Sequence, residues 1–308
     1  MSISAKMVAD LREKTGAGMM DCKKALTETQ GDFEQAVDWL RKKGLAAASK
    51  KAGRIAAEGL VSINSTGKEG SVLEVNIETD FAAKNDQFQS LVRELTAAYS
   101  KFNSDDVEAF KVSAMPSGKT VADQIVAAVA VIGENISLRR GAKLTVQNGL
   151  VASYIHNAAG ENIGKIGVLV ALESTAPADK LAVLGKQLAM HIAASKPEAL
   201  DVADLDPALV EKERAVLSDQ ARASGKPEAV IEKMVEGRLV KFYEQTVFLQ
   251  QLFVMDGKTR ITEVVAQAAK EAGADIKVKG YVRFGLGEGI EKKEVDFAKE
   301  VAEAAAGF

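Results

Sequence analysis

A chain of 308 residues, 47% hydrophobic and 27% charged, has the composition of a globular protein and length enough for about two domains. No apolar run approaches the roughly 18–20 uncharged residues that span a bilayer, and residues 1–14 carry no apolar signal segment, so a cytoplasmic protein without a membrane partner is expected. A net charge of −3 with one cysteine (Cys22) and two histidines (His156, His191) argues against wholesale nucleic-acid binding, an intramolecular disulfide and a thiolate zinc site.

Charge is uneven along the chain. Residues 1–55 hold 11 Lys/Arg and 7 Asp/Glu, so this segment is +4 and the remainder −7. Arg41-Lys42-Lys43 and Lys50-Lys51 suit phosphates, an acidic partner or a plain solvated helix face, and no aromatics interleave with them to stack on bases. Three short helices are predicted over 4–43. Val8 and Leu11 share one face, Cys22, Ala25 and Leu26 a second, and Phe33, Ala36, Val37 and Leu40 a third. Thr15-Gly16-Ala17-Gly18 and Gln30-Gly31-Asp32 separate them. Gly44 reads as a helix stop, and 45–57 as a helical linker closing an N-terminal module at 1–55.

A hairpin follows, with strands at 59–63 and 71–77 around Asn64-Ser65-Thr66-Gly67. Its second strand breaks into Glu78-Thr79-Asp80-Phe81. Helices are predicted at 82–102 (Phe88, Leu91, Val92, Leu95) and 120–132 (Val121, Ile125, Val129, Ile132). Asp80 suits an N-cap, and Phe81, seven residues before Phe88, falls on that helix's core-facing stripe, so capping and packing account for both residues locally. The pattern then returns: a strand at 149–155, a looped stretch, a strand at 166–172 ending in Glu173-Ser174-Thr175, and a helix with Leu181, Leu184, Leu188 and Ile192. Repeated hairpin-plus-helix units, with helices on one face of antiparallel sheets, give an α+β fold. Core subdomains are expected at 56–144 and at 145–204 with 250–288.

From Pro207 two amphipathic helices, broken at Ser224-Gly225-Lys226-Pro227, make an antiparallel hairpin (205–249) that packs on the body or on another chain. A helix near 259–272, a strand pair at 276–278 and 281–284, and an amphipathic helix at 291–305 within a module at 289–308 complete the chain. In that last helix Glu294-Val295-Asp296-Phe297-Ala298 repeats the acid–aromatic–alanine order of the Asp80 corner.

Motifs for covalent chemistry are missing. Ser117-Gly118-Lys119-Thr120 mimics the end of a phosphate-binding loop, but Ser113 stands where its first glycine belongs, and Thr120 with Asp123 suits an N-cap. Gly285-Leu286-Gly287-Glu288-Gly289-Ile290 lacks the third glycine of a dinucleotide fingerprint and reads as a turn. His191 reads as a helix residue satisfied by packing, and His156 sits where a strand meets a loop. No nucleophile set, enzyme mechanism or cofactor follows from these residues.

Two stretches go further. Residues 11–26, LREKTGAGMMDCKKAL, resemble the N-terminal signature of bacterial elongation factor Ts, and residues 74–81, EVNIETDF, resemble its second signature. IGENI at 132–136, HIAASKP at 191–197, KMVEGR at 233–238, and VRF and GEGIEK between 282 and 292 match in order, so the resemblance covers essentially the whole chain. It departs at Ile77, at Ala82 and in a longer 156–166 loop. The resemblance implies a guanine-nucleotide exchange factor for elongation factor Tu, the GTPase that delivers aminoacyl-tRNA to the ribosome, acting without covalent chemistry. It implies a ubiquitin-associated-like three-helix module, a duplicated α+β core, a helical hairpin of coiled-coil type able to make a homodimer, and a C-terminal helix. By the same resemblance Asp80 and Phe81 push between two helices of the partner's G domain near its Mg²⁺, with Ala82 and Ala83 completing the segment. Met19 and Met20 would dock the N-terminal module, Ile132 and Gly133 would make a second G-domain contact, and His156 would touch another domain. The alternative from a different class is a non-catalytic dimeric scaffold or chaperone-like interaction protein.

Overall fold

The structure is a computed structural model that describes residues 3–223, 225 and 227–291. Helices α1 (Ala5–Thr15), α2 (Met19–Glu28) and α3 (Phe33–Lys51) form the N-terminal bundle. Ser4 Oγ accepts the Met7 N–H and Asp32 Oδ1 the Gln35 N–H, each satisfying a donor that the helix itself leaves open. Val8, Leu11, Cys22, Ala25, Leu26 and Ala36 close its core. Gly44 does not stop α3. The helix runs on to Lys51, and Gly44 is buried where a Cβ would lie 3.3 Å from the Ala130 Cβ. This glycine lets two helices approach closely rather than ending one, so most of the predicted linker belongs to α3.

Next come β1 (Glu58–Ser65), β2 (Glu69–Ile77), α4 (Asp80–Ala83), α5 (Asp86–Lys101), α6 (Val107–Lys111) and α7 (Val121–Ile132), the helix that Gly44 meets. They are followed by β3 (Ile136–Thr145), β4 (Gly149–Gly160), β5 (Ile163–Ser174) and α8 (Ala178–Ser195). Then come α9 (Pro207–Arg222), α10 (Glu228–Thr246), α11 (Ile261–Ala272) and β6 (Ile276–Gly285). Antiparallel strands run in the order β3-β2-β1-β5-β4, and β6 also pairs with β5. β1 takes only Ile163 and Gly164 of β5, leaving residues 166–174 of the same edge to β6.

The two-residue strand period sorts the apolar side chains onto opposite faces. Leu73, Val75 and Ile77 pack under α5 and α7 with Phe88, Leu91, Leu95 and Val129. Val168, Val170 and Leu172 pack under α8 and α11 with Leu184, Leu188, Ile261 and Val265. On the opposite face Val61, Ile63 and Val72 meet Val151, Leu169, Ala171 and Phe284. The sheet therefore curls until its inner face packs on itself, and the helices cover the outside. Gly70 shows how tight that closure is: a Cβ there would lie 2.7 Å from Val151 Cγ1. Helices gathered outside an antiparallel sheet make this an α+β fold.

Three expectations change. Strand β3 has no counterpart among the elements expected from sequence. The 156–166 stretch is no loop, because β4 runs to Gly160 and β5 starts at Ile163. The expected strand pair near 276–284 is one strand, β6, bulged at Lys279 where its register with β5 shifts. Helices α9 and α10 do form an antiparallel hairpin, with Leu217, Ala221, Ile231, Val235 and Leu239 as its seam and Arg214 2.6 Å from Glu236 across it. The hairpin's base joins a cluster of Ala199, Leu205 and Val247. The helix expected at 291–305, with its Asp296-Phe297 pattern, lies outside the described residues, and no described helix is long and apolar enough to cross a membrane.

Buried polar side chains find partners, several of them distant in sequence, with Asn76 Oδ1 the exception among the described residues. Glu74 on β2 is inaccessible to solvent and accepts from Arg139 (3.0 Å), Arg140 (2.6 Å), Asn76 Nδ2 (3.1 Å) and the Gly287 N–H (2.8 Å). Glu288 in turn receives Arg283 at 2.6 Å, so the Gly285–Ile290 segment is a pinned turn. Thr120 caps α7 by accepting the Asp123 N–H at 3.0 Å, as expected.

His191 is fully buried, with Nδ1 accepting the Val254 N–H at 3.2 Å and Nε2 donating to Gln251 Oε1 at 2.8 Å. Burial holds its pKa below the ordinary value, so it folds neutral. The unfolded chain takes up a proton first, near about pH 6.5, and stability is present above that pH and lost as pH falls toward the depressed folded pKa. The thermal midpoint is therefore expected to drop as pH falls below about 6.5, and to drop less in His191→Gln, as measured by melting at each pH.

Candidate functional site

Where β2 ends, the chain makes one helical turn and then starts again. Thr79 Oγ1 accepts the Ala82 N–H at 3.1 Å, so Thr79, not Asp80, is the N-cap of α4. The turn stops at Lys84, and Asn85 Oδ1 accepts the Gln87 N–H at 2.8 Å to begin α5. This break sets Phe81 out of phase with Phe88. Phe88 is in the core, whereas Phe81 is 84% exposed. Core packing of Phe81, which the seven-residue spacing suggested, is therefore excluded. Ala82 and Ala83 are buried beneath the corner and seat it on the β1–β2 core.

Asp80 points to solvent beside Lys84, whose Nζ lies 3.2 Å from Oδ2. The Lys84 ammonium, hydrogen-bonded and oppositely charged, holds the Asp80 carboxyl below its usual range, so the corner carries a carboxylate at neutral pH.

The end of α7 lies against this corner. Ile132 is half-buried on the α5 core, and Gly133 closes the helix in the left-handed region at φ 87°, donating to Val129 O at 3.0 Å. The next residue, Glu134, accepts the Thr79 N–H at 3.0 Å and the Thr79 hydroxyl at 2.8 Å. Asn135 returns the contact, its N–H donating to Glu78 Oε1 at 2.6 Å and its side chain to the Arg54 carbonyl at 2.8 Å. Arg54 also lies 3.6 Å from Glu78. Thus the structure brings Asp80-Phe81 and Ile132-Gly133 together through Glu78, Thr79, Glu134 and Asn135. Composition and periodicity did not single out those four. The usable signal was a pair of carboxylates flanking a strand end and a helix stop, each next to a residue with a spare donor.

Met19 and Met20 open α2, 61% and 74% exposed, and border a groove that also includes Val8, Arg12, Lys23 and Gln87. Gln87 is in the first turn of α5, so this groove reaches the helix that leaves the corner. His156 stands on a different element, exposed on β4, with Nδ1 3.1 Å from the Tyr154 hydroxyl.

The other strand-to-helix corner, from β5 into α8, shows what this architecture requires. There Ser174 Oγ accepts the Ala176 N–H at 3.0 Å and donates to the Asp275 carbonyl at 2.6 Å, Ala176 is buried, and Pro177 leads into the helix. That corner closes with no exposed aromatic. An exposed ring beside a carboxylate is therefore not demanded by folding.

Among the described residues no group of three His, Cys, Asp or Glu is placed to hold a metal ion. What the corner offers instead is shape, apolar area and the exposed Asp80 carboxylate on a tied-down turn.

Comparison with known proteins gives the family. The family model described as "Elongation factor TS" matches residues 78–288, a span that starts at the corner. A protein named "Elongation factor Ts" from Rhodospirillum centenum is 58% identical across 98% of this chain and 99% of its own length. Proteins of the same name from Sphingopyxis alaskensis and Zymomonas mobilis are 57% and 56% identical, each over 98% of both chains. The chain belongs to the elongation factor Ts family of translation elongation factors.

Proposed function

We propose that the protein is a cytoplasmic guanine-nucleotide exchange factor that binds elongation factor Tu carrying GDP, displaces its Mg²⁺ and promotes GDP release. The observation that carries this reading is Phe81, a large aromatic ring left 84% exposed on a corner whose backbone is hydrogen-bonded from both sides. An aromatic ring left in water is a ready anchor for a partner.

Such a factor needs no covalent step. It binds the nucleotide-free partner more tightly than the GDP-bound one, and by linkage GDP weakens the factor as much as the factor weakens GDP. Each tenfold gain in release rate takes about 1.4 kcal/mol off the barrier, so several decades need roughly 4–7 kcal/mol of differential contact, within the reach of a few anchors. In the proposed step Phe81 enters between two helices of the partner's G domain, while the Asp80 carboxylate takes a helix-end N–H or competes for polar groups near the metal. Loss of Mg²⁺ leaves the diphosphate without much of its charge compensation. Ile132 and Gly133, beside the corner, extend that contact. Met19, Met20 and the groove they border would hold the N-terminal bundle on the partner, and His156 would reach a second region of it.

Release of a fluorescent GDP analogue from elongation factor Tu should accelerate with added chain, and the two proteins should co-elute in gel filtration as a complex that excess GDP dissociates. A release rate held at baseline, or a complex indifferent to GDP, would instead mark a scaffold.

A further inference from the structure

The corner is held by a device that the proposed wedge does not itself explain. Glu134 directs both carboxylate oxygens at one residue: Oε2 takes the Thr79 N–H at 3.0 Å and Oε1 the Thr79 hydroxyl at 2.8 Å. The same Thr79 oxygen accepts the Ala82 N–H, so a single hydroxyl joins the end of α7 to the first turn of α4. Charge-assisted bonds of this kind are short and directional, and two of them on one residue fix orientation as well as distance. Glu78 makes the reciprocal link to Asn135 and Arg54. Phe81 lies two residues beyond this clasp with its ring 84% exposed, while Asp80 pairs with Lys84.

We propose that Glu134 is a positioning residue for nucleotide exchange, holding the Thr79-Asp80-Phe81 corner so that the Phe81 ring is presented in its inserting orientation before the partner arrives. The inference rests on the exchange reading given above. Its physical basis is preorganisation: a loop already ordered in the free chain loses less freedom on binding, and a misplaced ring loses the contacts made only at the transition state. Because Glu134 acts through Phe81, its effect must vanish when the ring is absent.

The test is a double-mutant cycle read as the maximal rate of fluorescent GDP release from the partner GTPase. Glu134→Ala is expected to slow release about fivefold to tenfold in the otherwise native chain, and less than twofold in the Phe81→Ala background. Equal losses in both backgrounds, or a native rate for Glu134→Ala, would overturn the positioning role while the exchange reading stands. A native rate for Phe81→Ala would remove the Phe81 wedge and this inference with it while exchange stands, and only a native chain that leaves release at baseline would remove the exchange reading itself. Should Glu134→Ala melt below the assay temperature, Thr79→Val and Thr79→Ser carry the test instead. Loss of the hydroxyl in the valine variant slows release, and serine restores the rate. Equal rates for these two variants would count against the clasp.

Discussion

Phe81→Ala slows stimulated GDP release by about thirtyfold or more, the effect of losing an interface anchor worth about 2 kcal/mol, and leaves the thermal melt of the free chain almost unmoved. The second half of that expectation follows from the first turn of α4. The ring is 84% exposed, so its removal opens no cavity, and surface changes away from caps and networks usually stay within about 0.5 kcal/mol. Stopped-flow release and circular dichroism melting on the same variant separate the two. A large loss of stability with the release rate intact would place Phe81 among the core residues.

Glu74→Ala produces the opposite pattern. Glu74 is fully buried and compensates Arg139 and Arg140 while accepting the Gly287 N–H. Removing one partner from such a pair leaves charge stranded, and typical losses are about 3–5 kcal/mol. Here the two arginine side chains remain 27% and 32% exposed and recover some hydration, which brings the expected loss to about 2–3 kcal/mol. The midpoint of urea unfolding should fall accordingly. At temperatures where the variant stays folded, stimulated release should stay closer to native than in Phe81→Ala. A midpoint that does not move would mean that the arginines find other partners.

The helices with regular apolar stripes were legible from sequence, as α5 shows: Phe88, Leu91, Val92 and Leu95 are all buried where periodicity placed them. What was not legible has local causes. β3 reads Ile-Ser-Leu-Arg-Arg-Gly-Ala-Lys-Leu-Thr, and its cations obscure the strand alternation because their partners lie far away in sequence. Arg139 and Arg140 find Glu74, and Lys143 lies 4.7 Å from the Tyr99 ring centre. Gly44 was misread because a glycine inside a helix looks the same in sequence whether it ends the helix or admits a neighbour. At the Asp80-Phe81 corner the local reading failed because two caps, Thr79 and Asn85, stand only six residues apart. That spacing allows one turn between them and resets the phase. The clasp through Glu134 was hidden for a different reason: its partner lies 55 residues earlier in the chain.

The α9–α10 hairpin has its own apolar seam and joins the rest of the chain at its base, through the cluster around Val247, the Glu244–Arg260 ion pair and the Glu198 N–H donated to the Thr246 carbonyl. A unit built this way opens and closes with a free energy largely its own. Events at its far end are thus poorly transmitted to the sheet, and chain length there can change at small thermodynamic cost. The connection between Arg222 and Glu228 is accordingly the natural place for a dye, a tag or a fused domain, where added mass is carried by the hairpin rather than by the sheet.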